Sequence, residues 1–274
     1  MKKLFLSVAA LFAVCIVSAQ EGVVASYNKG AEMLQSKNYP EAAKLFQKVI
    51  DEGMASEDAT ELNCVETAKK YLPTCYQGMG TRAAAQGNYD EAIANLSKAA
   101  EVAELYGNVA ALKKANTILA KVYQAQGGTA FNNKDYAAAA EIFAKGYAAD
   151  PDNTGMALNL AMSYCEMAMS SGDMSQYEKG MEIYEAVAAK THPKYAEDAA
   201  KAKEDMALYT NNMVAKMQAA NDFDGIIKMA DDLLAKNPQS ALAQNVRLQA
   251  YANKKDYAKV IELGQAAADV QTDP

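Results

Sequence analysis

Along the chain, a small residue and a bulky apolar residue recur four positions apart: Ala42 and Phe46, Ala92 and Leu96, Ala139 and Phe143, Gly180 and Tyr184. Residues four apart lie one above the other on a single face of an α-helix, whereas a strand turns every second residue to the same face. Sustained alternation of Val, Ile and Thr is hard to find, so the pattern predicts helices nearly throughout. Composition points the same way. Alanine is abundant, Trp is absent, and there are only 6 Pro and 15 Gly among 274 residues. Good helix formers are therefore seldom interrupted.

One short phrase punctuates these helices. A turn pair precedes Tyr or Phe, and a helix then opens onto a small residue. The copies are Lys37-Asn38-Tyr39, Gly87-Asn88-Tyr89, Lys134-Asp135-Tyr136, a weaker Gln176-Tyr177, Asn221-Asp222-Phe223 and Lys255-Asp256-Tyr257. The pair ends one helix and turns the chain, because Gly and Asn tolerate the left-handed conformation. The ring is expected to fill the angle between two helices, and Pro40 opens its helix where a missing N–H costs nothing. Gly30, Gly80 and Gly127 precede three copies and are expected where helices cross. Asp150-Pro151, His192-Pro193 and Asn237-Pro238 close three second helices.

These residues resemble the tetratricopeptide repeat, most closely from Tyr123 through Gly127, Tyr136, Ala139 and Phe143 to Pro151. The resemblance covers nearly all the chain after residue 22. It implies an all-α fold, a tetratricopeptide-like α–α superhelix of about six helical hairpins. Hairpins are expected near residues 23–53, 57–106, 108–151, 154–190, 194–238 and 240–271, within one repeat domain spanning 21–274. The phrase aromatics are 50, 47, 41, 46 and 34 residues apart, and the extra length falls in the first helices, near 56–86, 108–132 and 195–220. Pro73 is expected to kink or interrupt the first of these long helices. A single hairpin buries too little apolar surface to stand alone, so hairpins must stack.

The resemblance also implies a non-catalytic scaffold that binds a protein or peptide against its first helices. Carried over by register, the groove positions are Asn28, Gln35, Gln77, Gln124, Asn132, Asn159, Glu166, Asn211, Gln218, Asn245 and Gln249. Amides can hydrogen-bond an extended backbone without choosing a charge. Some members of the family clamp a C-terminal carboxylate with basic residues. Gly78 and Ala125 stand at two of those positions, which argues against that ligand. The last helix carries Val260, Ile261 and Leu263, and a homo-oligomer through it is one reading of that face.

Three features place the chain in a cell. Lys2 and Lys3, the apolar run 4–17 and Val17-Ser18-Ala19 form a secretory signal over residues 1–19, with cleavage expected after Ala19. Val14 and Phe12 before Cys15 do not fit a lipid-attachment site. No later stretch is apolar enough to span a bilayer, so no integral membrane segment is expected in the mature chain. Loss of Lys2 and Lys3 takes the formal charge from −7 to −9, an acidic balance that argues against nucleic acid. An exported protein of the bacterial envelope, most simply periplasmic, is the expectation. A factor that assembles or secretes outer-membrane proteins is the alternative.

Candidate chemistry is sparse. Cys64, Cys75 and Cys165 follow the signal, an odd number, and no Cys-x-x-Cys occurs. On one continuous helix Cys64 and Cys75 stand ~16 Å apart, beyond the ~7 Å that a disulfide spans, so they pair only if Pro73 folds the helix back. His192 is the lone histidine and has no evident catalytic partner. There is no Gly-rich phosphate loop, His-Glu-x-x-His or nucleophile elbow. No cofactor or metal is expected.

Overall fold

The computed structural model describes residues 22–272. Every regular element in this range is helical. The helices are α1 (Val23–Gln35), α2 (Tyr39–Gly53), α3 (Ala59–Ala85), α4 (Tyr89–Leu105), α5 (Val109–Asn132), α6 (Tyr136–Ala149), α7 (Thr154–Ser171), α8 (Met174–Ala188), α9 (Ala196–Ala219), α10 (Phe223–Lys236), α11 (Ala241–Asn253) and α12 (Tyr257–Thr272). A 3₁₀ turn, Pro193–Tyr195, leads into α9. The first helices α3, α5 and α9 run 27, 24 and 24 residues, against 13 for α1 and α11, so the added length does fall where the spacing of the aromatics placed it.

Five of the six phrase aromatics begin the second helix of a hairpin: Tyr39, Tyr89, Tyr136, Phe223 and Tyr257. Each turn before them is built alike. At the first, the Lys37 N–H donates to the Leu34 carbonyl at 3.0 Å and the Asn38 N–H to the Met33 carbonyl at 2.8 Å. This paired closure satisfies carbonyls left over at a helix end, and it requires a left-handed residue at its centre. That residue is Lys37, Gly87, Lys134, Asn221 or Lys255, all at positive φ. The following Asp then caps the next helix: Asp135 accepts from the Ala138 N–H and Asp222 from the Gly225 N–H. The fourth turn departs. Gly172 is left-handed, but its N–H donates to Ala168, and Tyr177 lies four residues into α8.

The described residues divide into two compact units, one ending at residue 118 and the other beginning at 119. In the first, α1 packs on α2, α2 on α3 and α3 on α4, and the first helices α1 and α3 also touch. Its core gathers Phe46, Val49, Ile50, Leu72 and Cys75. In the second, α6 packs on α7, α7 on α8, α8 on α9, α10 on α11 and α11 on α12, with the first helices α7 and α9 in contact. Tyr177, Met181, Tyr184, Met213 and Ile226 fill one part of its core, and Phe143 and Met156 another.

The small residues set how closely these helices approach. A Cβ on Gly127 would come within 2.6 Å of the Phe143 ring, and one on Gly80 within 2.6 Å of Leu96. Gly30 faces Phe46 in the same way, at 3.1 Å. Ala42, Ala92 and Ala139 are fully buried.

Of the kink or interruption expected at Pro73, the interruption does not occur. The helix continues from Ala59 to Ala85 with Pro73 buried inside it. The proline forgoes one ladder hydrogen bond, but core contacts on both sides, through Leu72 and Cys75, hold the helix together. An unbroken helix also keeps Cys64 and Cys75 ~16 Å apart, out of disulfide reach. Both are free thiols in the core, as is Cys165.

Candidate functional site

All eleven candidate groove residues fall on odd-numbered helices, the first helix of each hairpin. Asn28 and Gln35 are exposed on α1, Gln124 and Asn132 on α5, Asn211 on α9, and Asn245 and Gln249 on α11. Asn159, Glu166 and Gln218 are half-buried. Residues seven apart, such as 28 and 35 or 211 and 218, share one helix face. On α1 and on α9 the paired candidates therefore lie on one side of their helix.

Two of the eleven are committed to holding the fold. Gln77 is buried, and its Nε2 donates to the Ala111 carbonyl at 2.8 Å, tying α3 to the start of α5. It is therefore not a freely presented surface amide. The Glu166 carboxylate accepts from the Tyr209 hydroxyl at 2.8 Å, a link between α7 and α9. A parallel link joins the Tyr177 and Thr210 hydroxyls at 2.8 Å. Such hydrogen bonds are needed wherever polar groups enter a helix interface.

One cleft of about 380 Å³ opens in the first unit between α3, the beginning of α5 and the turn after α1. Its floor holds Gly78. A Cβ there would lie 2.5 Å from the Tyr39 ring, so only glycine lets that ring rest on α3. The Arg82 guanidinium sits over the other part of the ring, 5.6 Å from its centroid, and donates through Nη2 to the Lys37 carbonyl at 3.0 Å. Lys37 and Lys114 line the same cleft, and no lining residue is acidic. Sequence reading missed this grouping because positions 37, 82 and 114 carry no shared motif.

A second cleft of about 420 Å³ lies between α8 and α10, with Met174, Met181, Met229 and Leu233 among its walls. Its charged rim is largely self-paired: Lys228 with Asp232 at 2.6 Å, and Lys236 with Glu182 at 3.8 Å.

His192 is exposed in the link before α9. Its Nδ1 accepts the Lys194 N–H at 3.2 Å and caps the 3₁₀ turn, which accounts for a histidine at that place. Tyr195 beside it donates to Asp152 at 2.9 Å and lies under the ammonium groups of Lys190 and Lys194. Among the described residues, no group of three His, Cys, Asp or Glu could hold a metal ion, and no helix is long and apolar enough to cross a membrane.

No family model matches the sequence, and no curated relative matches it. Among solved structures the chain is similar to one in the Naa15/Naa10 assembly bound to HypK-THB, with 12% identity over 92% of this chain and 37% of that one, at a TM-score of 0.31. It is also similar to the TPR2AB domain of yeast Sti1 solved as a pHSP90 complex, with 12% identity over 90% and 98% of the two chains, at a TM-score of 0.23. A third is the P58(IPK) TPR domain, with 18% identity over 90% and 74%, at a TM-score of 0.20. This chain spans about a third of the Naa15-assembly chain and 63% of a human IFIT1 chain that it also matches. The fold stands on its own corners, in which a small residue, a ring and a left-handed turn recur hairpin after hairpin. Over the described residues the protein is a succession of packed helical hairpins.

Proposed function

We propose that the protein is a non-catalytic scaffold of the bacterial cell envelope, exported by its first 19 residues, that binds a protein or extended peptide along the first helices. The observation that carries this reading is the set of exposed amides on the first helices. Asn28 and Gln35 on α1, Gln124 and Asn132 on α5, and Asn245 and Gln249 on α11 are exposed, each on the first helix of its hairpin. A peptide backbone brings unpaired N–H and C=O groups, and side-chain amides offer both donors and acceptors to meet them. Periplasmic location rests on residues 1–19, which lie outside the described residues. N-terminal sequencing of the native protein from a periplasmic fraction should begin at Gln20.

The binding face is tested by placing a photo-reactive residue at Gln124 or Asn211, and for comparison at Lys98 on α4 or Glu141 on α6, all of them exposed. Irradiation in intact cells should give discrete adducts from the first pair and none from the second. Equal adducts from both faces, or none from either, would overturn the reading.

A further inference from the structure

We infer that the cleft formed by Lys37, Tyr39, Gly78, Arg82 and Lys114 takes an acidic stretch of the bound partner and holds it through side-chain carboxylates. This rests on the protein-binding reading above and names the chemistry of the partner at one place on it.

Charge is the first observation. The chain carries a formal −7, yet three cations converge on this cleft with no acidic residue lining it. Elsewhere several lysines have a carboxylate at hand, as in Lys69–Glu66, Lys98–Glu101, Lys201–Asp205 and Lys259–Glu262, whereas this cleft supplies none. The side chains of Lys37, Arg82 and Lys114 make no ion pair among the described residues. Of the two arginines in the sequence, Arg247 is paired with Asp231 and Arg82 is not.

Preorganisation is the second. Arg82 is held on two sides, by the Tyr39 ring and by the Lys37 carbonyl. Only one of its five N–H donors is used in that contact, and the rigid fork of a guanidinium matches a carboxylate. Holding the side chain beforehand lowers the ordering entropy that a ligand must overcome. Gly78 has a part in this. It is not a vacant clamp position, because its missing side chain seats the ring on which Arg82 lies.

The size and number of groups choose the ligand class. Duplex-scale phosphate binding draws on ~6–10 contacts over a long basic surface. Three cations around about 380 Å³ on an acidic chain suit two or three carboxylates instead.

The test uses the full mature chain and a labelled octapeptide of alternating Glu and Ser, acetylated and amidated so that only side chains carry charge. Its partner probe has Gln in place of Glu. By fluorescence anisotropy at low salt the Glu peptide should bind about tenfold more tightly than the Gln peptide. Arg82→Gln and Lys114→Gln should each weaken it about fivefold, and salt should weaken it further. The Lys114 side chain supports no described contact, so its variant reports on binding even if Arg82→Gln perturbs the turn. Equal binding of the two peptides, or both variants binding like the parent, overturns the inference. In that case adducts persisting from Gln124 and Asn211 would show that the scaffold reading survives without it. A single-stranded RNA oligomer that binds more tightly than the Glu peptide, and loses its binding in both variants, would also overturn it.

Discussion

The residues that turn this chain are its most conspicuous local compromise. Three hairpin turns place lysine, rather than glycine, in the left-handed region, with φ of 59° at Lys37, 63° at Lys134 and 62° at Lys255. A side chain there brings Cβ toward the following carbonyl oxygen, at about 1 kcal/mol. Glycine avoids that contact but enlarges the unfolded ensemble, which offsets part of the gain. The left-handed penalty is the larger effect, so Lys134→Gly should stabilise the second unit by about 0.5 kcal/mol. Gly87→Ala, at φ 77°, should destabilise the first unit by about 1 kcal/mol, since open space around its Cβ site leaves only the backbone conformation to object. Chemical denaturation of the two variants checks both signs. A fall in the midpoint for Lys134→Gly would mean that the lysine makes a compensating contact in solution.

Elements show how far the sequence could be read. The turn pair, the aromatic and the small residue were legible because each is required locally. A left-handed residue closes one helix, Asp135 or Asp222 caps the next, and Gly127 or Gly80 leaves room for a ring or a leucine. What crosses between elements was not legible. Gln77 looked like a surface amide, and only the approach of α5 turns it into a buried tie to Ala111. Arg82 reaches a carbonyl 45 residues away. Pro73 is the clearest case. Propensity argues for a broken helix, whereas burial of Leu72, Pro73 and Cys75 holds it whole. That balance has a measurable consequence. A proline inside a helix costs about 3 kcal/mol relative to alanine. Losing its buried ring carbons costs about 1–2 kcal/mol. Pro73→Ala should therefore raise the thermal midpoint by a few degrees, and a lowered midpoint would show that the ring is needed to shape α3.

At the scale of the molecule, buried thiols shape the response to pH, with Cys64 and Cys75 in the first unit and Cys165 in the second. Cys75 in the first unit and Cys165 in the second are both fully buried. Burial pushes each thiol up from 9.0 to about 12. The thiolate is the reactive form, so both cysteines stay inert at neutral pH. The same shifts fix the direction of the alkaline response. The folded pKa lies above the unfolded one, so the unfolded chain releases protons first as pH rises. Stability is complete below pH 9 and falls between about 9 and 12. Burial raises the phenols of Tyr177, Tyr184 and Tyr209 as well, which steepens the loss in the second unit. At pH 10 the two thiols together should remove about 3 kcal/mol. Guanidinium unfolding at pH 7 and pH 10 measures the decline. The double variant Cys75→Ala and Cys165→Ala should start lower but decline less. A decline as steep in the variant as in the parent would show that the thiols are not its source. Thiol titration in denaturant adds a count: three per chain after cleavage at Ala19, and four if Cys15 is retained.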